Sequence, residues 1–132
     1  MLNFKISEFI HSNTAVERKI NNMPDINSLD CLLDLIFYLL QPLREKLGRP
    51  IIITSGYRCP QLNKAIGGVA NSQHTKGQAA DIRVNGMRPD DLINFIVKSG
   101  LEYDQLIQEY NSWVHISYVK GKNRKQKPFK IS

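Results

Sequence analysis

Ser72-Gln73-His74-Thr75-Lys76-Gly77-Gln78-Ala79-Ala80-Asp81-Ile82-Arg83-Val84 begins as a polar loop and ends as a strand, and this change of pattern decides how the chain is read. Asn71 to Gly77 is polar and closes on a glycine. Ala79 to Val84 alternates around Asp81, the period of two that marks a strand. His74 and Asp81 therefore flank a loop-to-strand junction. The chain has three histidines. His115 lies among Trp113, Val114 and Ile116 in a second β-prone run, where a polar imidazole needs a partner. His11, between Ile10 and Ser12, reads as structural or surface.

Working outward, Trp113 to Val119 and Gln105 to Tyr110 form two strand-like runs joined at Asn111-Ser112, a hairpin signal. Ile51 to Thr54 is a β-branched run between Pro50 and Gly56, hence another strand. Pro60 to Ala65 reads as a short helix stopped by Gly67-Gly68. Arg88-Pro89-Asp90-Asp91 opens a helix that runs through Lys98 and stops at Gly100. The strongest helical signal is Asn27 to Gly48, with leucines and isoleucines at three- and four-residue spacing, Asn27 or Ser28 as cap and a kink expected near Leu40 because of Pro42. Phe4 to Met23 is polar enough to wrap the outside, with a helical turn or two. The fold class expected is α+β, with N-terminal helices packed on a small antiparallel sheet.

The whole chain, residues 1–132, suits one domain. Its apolar (42%) and charged (23%) fractions exclude disordered, fibrous and coiled-coil classes. Cys31 and Cys59 are too few for a disulfide framework or a thiolate zinc site and read as ordinary thiols, Cys31 in the core and Cys59 in a turn. The N-terminus lacks the pattern of a secretory signal, and no segment reads as long enough to span a membrane. The formal charge of +6 is concentrated in residues 120–132, where six Lys or Arg meet no acid. The charge suits an anionic partner, whether nucleic acid, anionic lipid or cell-wall polymer, but the tail itself reads as a solvated terminus or a loose electrostatic tether; the lack of interleaved aromatics and of a binding motif weighs against nucleic-acid function.

Two histidines and one carboxylate, His74, Asp81 and His115, are a common three-ligand set for catalytic zinc, with the fourth position open to water. A hydrogen-bonded strand histidine and a turn-capping aspartate fit the same spacing. Spacing leaves both readings open.

The same residues, taken with Ser55-Gly56-Tyr57-Arg58, Asn63, Gly67-Gly68 and Trp113-Val114-His115-Ile116-Ser117, resemble the zinc D-Ala-D-Ala carboxypeptidase and peptidoglycan endolysin peptidases, of the lysostaphin-like and hedgehog-like metallopeptidase class. The resemblance runs from Ile51 to Val119, and its Ser-x-His-x-x-Gly-x-Ala-x-Asp core is specific. It implies one zinc ion held by His74, Asp81 and His115, polarising the scissile carbonyl and activating a water. Small residues Gly77, Ala79 and Ala80 would let the chain turn close to the metal. Arg58 takes the position of an arginine that contacts substrate and oxyanion, with Gln73 as a second donor and Tyr57 and Trp113 as further substrate contacts. Several relatives carry a glutamate or histidine just before the final histidine. Here those positions are Ser112 and Trp113, so Glu109, across the hairpin, is the general base expected, with Asp104 and Glu102 the next acids.

The function implied is a zinc peptidase that hydrolyses peptidoglycan stem or cross-link peptides containing D-amino acids, as a D,D-carboxypeptidase or an endopeptidase. The alternative is a non-catalytic zinc-containing wall-binding or phage structural module. The partner expected is bacterial peptidoglycan, with no nucleic acid and no membrane span, and the chain is expected to act as a monomer. Synthesis in the cytoplasm, followed by holin-type release or incorporation into a phage particle, is the route this implies to the cell wall.

Overall fold

The computed structural model describes residues 2–132. Two short helices, α1 (Ile6–Ile10) and α2 (Asn13–Glu17), precede the helical stretch that organises the core: α3 (Ile26–Leu35), a π-helical turn (Ile36–Leu40) and α4 (Gln41–Leu47). Asp25 caps it, its Oδ1 accepting the Ser28 N–H at 2.7 Å, ahead of the caps expected at Asn27 or Ser28. Gly48, at φ 69°, ends it in the left-handed conformation that glycine adopts without strain. The break expected near Leu40 takes the form of the π turn. In a regular α-helix the Pro42 ring would press on the carbonyl four residues earlier. Widening the preceding turn relieves this, and the Gln41 N–H bonds back to the Ile36 carbonyl.

Leu32, Leu35, Leu39, Leu40 and Leu43 are fully buried along this stretch, each contributing about 1.5–3 kcal/mol relative to exposure. Ile26–Leu47 is 22 residues long with mean hydropathy 1.3, enough by length and composition to cross a bilayer, which corrects the expectation that no segment reaches that length. Here its apolar stripe is the core helix face, packed on the sheet.

The sheet has the order β1-β2-β4-β3-β5, with β1 (Ile52–Ser55), β2 (Ala79–Arg83), β3 (Leu106–Glu109), β4 (Trp113–Ser117) and β5 (Phe129–Ile131). Between the strands lie α5 (Pro60–Ala65), a 3₁₀ turn (Gln73–Lys76) and α6 (Pro89–Ser99). The first four strands pair antiparallel, as expected, and β5 adds parallel to β3. Tyr110 and Asn111, both at positive φ, make the hairpin turn, one residue earlier than the sequence suggested. The register divides the sheet into two faces. Ala80, Ile82, Val114, Ile116 and Leu106 point into the helical core. Asp81, His115, Trp113, Ile107 and Glu109 share the other face, with Asp81 opposite His115, Ile107 opposite His115, and Glu109 opposite Trp113.

Two segments depart from expectation. The N-terminal stretch does not merely wrap the outside: Phe4 and Phe9 are buried in the core, and Asn22 is buried with both side-chain groups bonded. The basic tail is not a loose terminus either. It folds back along Tyr103–Gln105, with the Lys125 N–H on the Tyr103 carbonyl and the Gln126 N–H on that of Asp104, before ending as β5. Cys31 is half-buried rather than fully in the core, and Cys59, also a free thiol, caps α5 through its sulfur.

Candidate metal centre

Asp81 is delivered by the middle of β2 and His115 by the middle of β4, directly opposite in the register, so both side chains rise from one sheet face. A β-bulge in β1 opposite Asp81 and Ile82 bends the sheet beside them, with the Thr54 hydroxyl donating to the Asp81 carbonyl at 3.2 Å. His74 comes from the 3₁₀ turn, whose Ser72 cap accepts the His74 N–H. Gly77, at φ 75°, ends that turn so close to α3 that a Cβ would overlap the Ser28 carbonyl. The missing side chain here serves packing against the helix. It sets how far the His74 loop stands off the helix.

The three side chains are buried, and one ligand atom from each lies within 4.8 Å of the others. His74 Nε2 stands 3.2 Å from Asp81 Oδ1, and His115 Nδ1 stands 3.5 Å from the same oxygen. The tautomers follow from the outer partners. His74 Nδ1 faces the Gly56 carbonyl at 2.8 Å, and a carbonyl only accepts, so Nδ1 carries the proton and Nε2 presents a lone pair. His115 Nε2 faces the Gln73 amide oxygen at 3.5 Å, leaving Nδ1 unprotonated toward Asp81. Asp81 Oδ1 is itself buried without a hydrogen bond. Three electron pairs thus converge on one point in a buried site, which is costly unless a cation lies among them. The donor set, two imidazoles and a carboxylate, suits zinc.

The site opens into a cleft of about 680 Å³, a size typical of ligand pockets, lined by Arg58, Gln73, Glu109, Trp113 and the three ligand side chains. Arg58 sits in a loop clamped from several sides. Its N–H bonds the His74 carbonyl, the Tyr57 N–H bonds the Phe9 carbonyl, and Asn22 bridges the Tyr57 carbonyl and the Cys59 N–H. Gly56 lies so near the Phe9 backbone that a Cβ would not fit. Burial pulls the Arg58 guanidinium below its ordinary value, with Asp81 and Glu109 acting the other way. Arg58 Nε is buried without a hydrogen-bond partner, and the side chain lines the cleft.

Glu109 lies on the same sheet face as the ligands and lines the same cleft. The Trp113 indole N–H holds its Oε1 at 3.2 Å. The other acids considered are placed elsewhere. Asp104 is buried and its carboxylate is occupied by Arg124 and Gln73. Glu102 is exposed and does not line the cleft. Tyr57 is a correction: it is 6% exposed, packs in the core and does not reach the cleft. Asn63 is structural in its observed contacts, its amide donating to the Val69 carbonyl and shaping the Gly67-Gly68 loop at the rim. Asn22 and Arg124 escaped the sequence reading, since neither belongs to a periodic pattern or to the motif.

A family model for peptidase M15 matches residues 2–117. The chain belongs to the M15 peptidase family. The match includes the N-terminal segment that builds the Arg58 loop and stops before the tail. M15 peptidases are zinc-dependent hydrolases related to the D-Ala-D-Ala carboxypeptidases, and the His-Asp-His group described here is able to hold the metal. A search of the curated proteins gives no match.

Proposed function

We propose that this M15 peptidase hydrolyses peptidoglycan stem or cross-link peptides containing D-amino acids. The observation that carries the reading is that Arg58 and Glu109, a free donor and a tethered carboxylate, border the cleft in which the three ligand electron pairs converge. Bound zinc supplies Lewis acidity and an activated water at that point. The chain's own residues account for the rest. Glu109, oriented by Trp113, takes the proton of the attacking water and returns it to the leaving amine. Arg58 donates to the oxygen that gains negative charge as the carbonyl becomes tetrahedral, or to a substrate carboxylate beside it. Ile66, Val69 and Tyr110 give the cleft an apolar rim against which short side chains such as alanine can lie.

A carboxylate on the ligand face of the sheet, Glu109, supports catalysis over the non-catalytic wall-binding reading. Action on the cell wall as a monomer, after holin-type release or as a phage component, remains part of the proposal. The test is digestion of purified peptidoglycan by the zinc-loaded protein, with fragments identified by mass spectrometry. New amino termini or released D-alanine are expected; intact stems after prolonged incubation with a zinc-loaded, folded protein would contradict the reading.

A further inference from the structure

We infer that Arg124, a tail residue outside the span matched by the family, is a positioning residue for the metal site, acting on His115 through Asp104 and Gln73. The chain of contacts is continuous. Arg124 grips Asp104 at two points, Nε to Oδ1 at 3.0 Å and Nη2 to Oδ2 at 2.7 Å, and its backbone N–H adds a third bond to Oδ1 at 3.0 Å. Asp104 is 1% exposed, so its ionised carboxylate needs those donors. Its Oδ2 also accepts the Gln73 side-chain N–H at 2.8 Å.

That last bond fixes which way the Gln73 amide faces. A carboxylate accepts and does not donate, so the amide nitrogen turns to Asp104 and the amide oxygen turns to His115 Nε2. An oxygen there favours the proton on Nε2, leaving the Nδ1 lone pair for the site shared with Asp81 and His74. The tail thus reaches the ligand shell in three steps. Its backbone is tied along Tyr103 and Asp104, and it continues into β5, whose Ile131 borders the same cleft. This assigns the basic tail, expected to act only as a tether, a part in building the site.

The inference rests on His74, Asp81 and His115 being a metal site, and the experiment keeps the two apart. Zinc dissociation constants are measured on the full chain by competition with a chromophoric chelator, for wild type, Arg124→Ala, Arg124→Lys and Lys127→Ala. Circular dichroism checks the fold. A charge effect and a positioning effect have opposite signs. Removing a cation near the site, and leaving Asp104 uncompensated, would tighten zinc binding by simple electrostatics. Loss of positioning weakens it, and we expect about a 10-fold weakening for Arg124→Ala, the lower end for outer partners of metal ligands. Arg124→Lys, which keeps charge but loses the two-point grip, should fall between wild type and Arg124→Ala, and Lys127→Ala should match wild type.

Unchanged or tighter binding in a folded Arg124→Ala variant overturns the inference while leaving the metal site standing. Wild-type protein that binds no zinc overturns both. Should Arg124→Ala fail to fold, nitrogen-15 NMR of wild-type His115 decides. A proton on Nε2 with Nδ1 free supports the inference, and the opposite tautomer refutes it.

Discussion

Exchanging the Glu109 carboxylate for an amide isolates its chemistry from its packing. Trp113 donates its indole N–H to Glu109 Oε1, and glutamine keeps an oxygen able to accept that bond, so Glu109→Gln should leave the hairpin and the ligand side chains in place. What it removes is a basic oxygen on the ligand face of the sheet. Asp104 cannot take over, because Arg124 and Gln73 occupy its carboxylate, and among the described residues no other free carboxylate lines the cleft apart from the ligand Asp81. A positioned acid–base group is worth roughly 100-fold or more in turnover, or about 2.7 kcal/mol of transition-state stabilisation. The assay follows amine release from a soluble stem peptide, with zinc content and KM measured in parallel. The expected result is kcat down by about 100-fold or more, one zinc per chain and KM within a few-fold. Turnover within about threefold of wild type would refute the assignment, and loss of zinc together with activity would make Glu109 a metal-site residue instead.

Gly77→Ala places a methyl group against the Ser28 carbonyl at a left-handed φ, so it should lower stability by about 1–3 kcal/mol, read as a fall of several degrees in Tm; an unchanged Tm would mean the loop and α3 are not in that contact. Asn22→Ala breaks three bonds, two of them to the residues either side of Arg58, and should cost about 2–3 kcal/mol by stranding buried backbone groups. In protein that still folds it should lower kcat/KM with little loss of zinc. The Arg124 side-chain bonds hold Asp104 down at about 2, below the ordinary carboxylate value. The ion pair therefore stabilises the fold above about pH 4, and its contribution fades as pH falls toward 2. In metal-free protein the Tm difference between wild type and Arg124→Ala should be full near pH 6 and close as pH falls toward 2; a difference that persists there would assign the stability to packing.

The sequence made much of the site legible because the family motif spaces its ligands around a loop-to-strand junction, and local rules set most element boundaries. The helix after Arg88-Pro89 and its stop at Gly100 follow from proline and glycine alone. Glu109 was reachable because hairpin pairing puts it opposite Trp113, and the alternation of strands then puts it on the face of His115. The parts that stayed hidden depend on partners far along the chain. Asn22 is polar and aperiodic, and its worth lies in backbone groups 35 and 37 residues away. The β5 strand is three exposed residues with no buried face to leave a pattern. Arg124 resembles every other tail cation until Asp104, 20 residues earlier, is seen to be buried. Tyr57 erred the opposite way: standing next to Arg58 in the motif, it points into the core.

The central claim is that His74, Asp81 and His115 together hold one zinc ion. Elemental analysis of protein purified without added metal, alongside His74→Ala, Asp81→Asn and His115→Ala, tests it most directly, since removing one of three protein ligands leaves two and an open shell. The account predicts close to one zinc per wild-type chain and a loss of most of it in each folded variant. A wild-type chain free of zinc that takes up none on addition, or variants that keep a full equivalent, would contradict it.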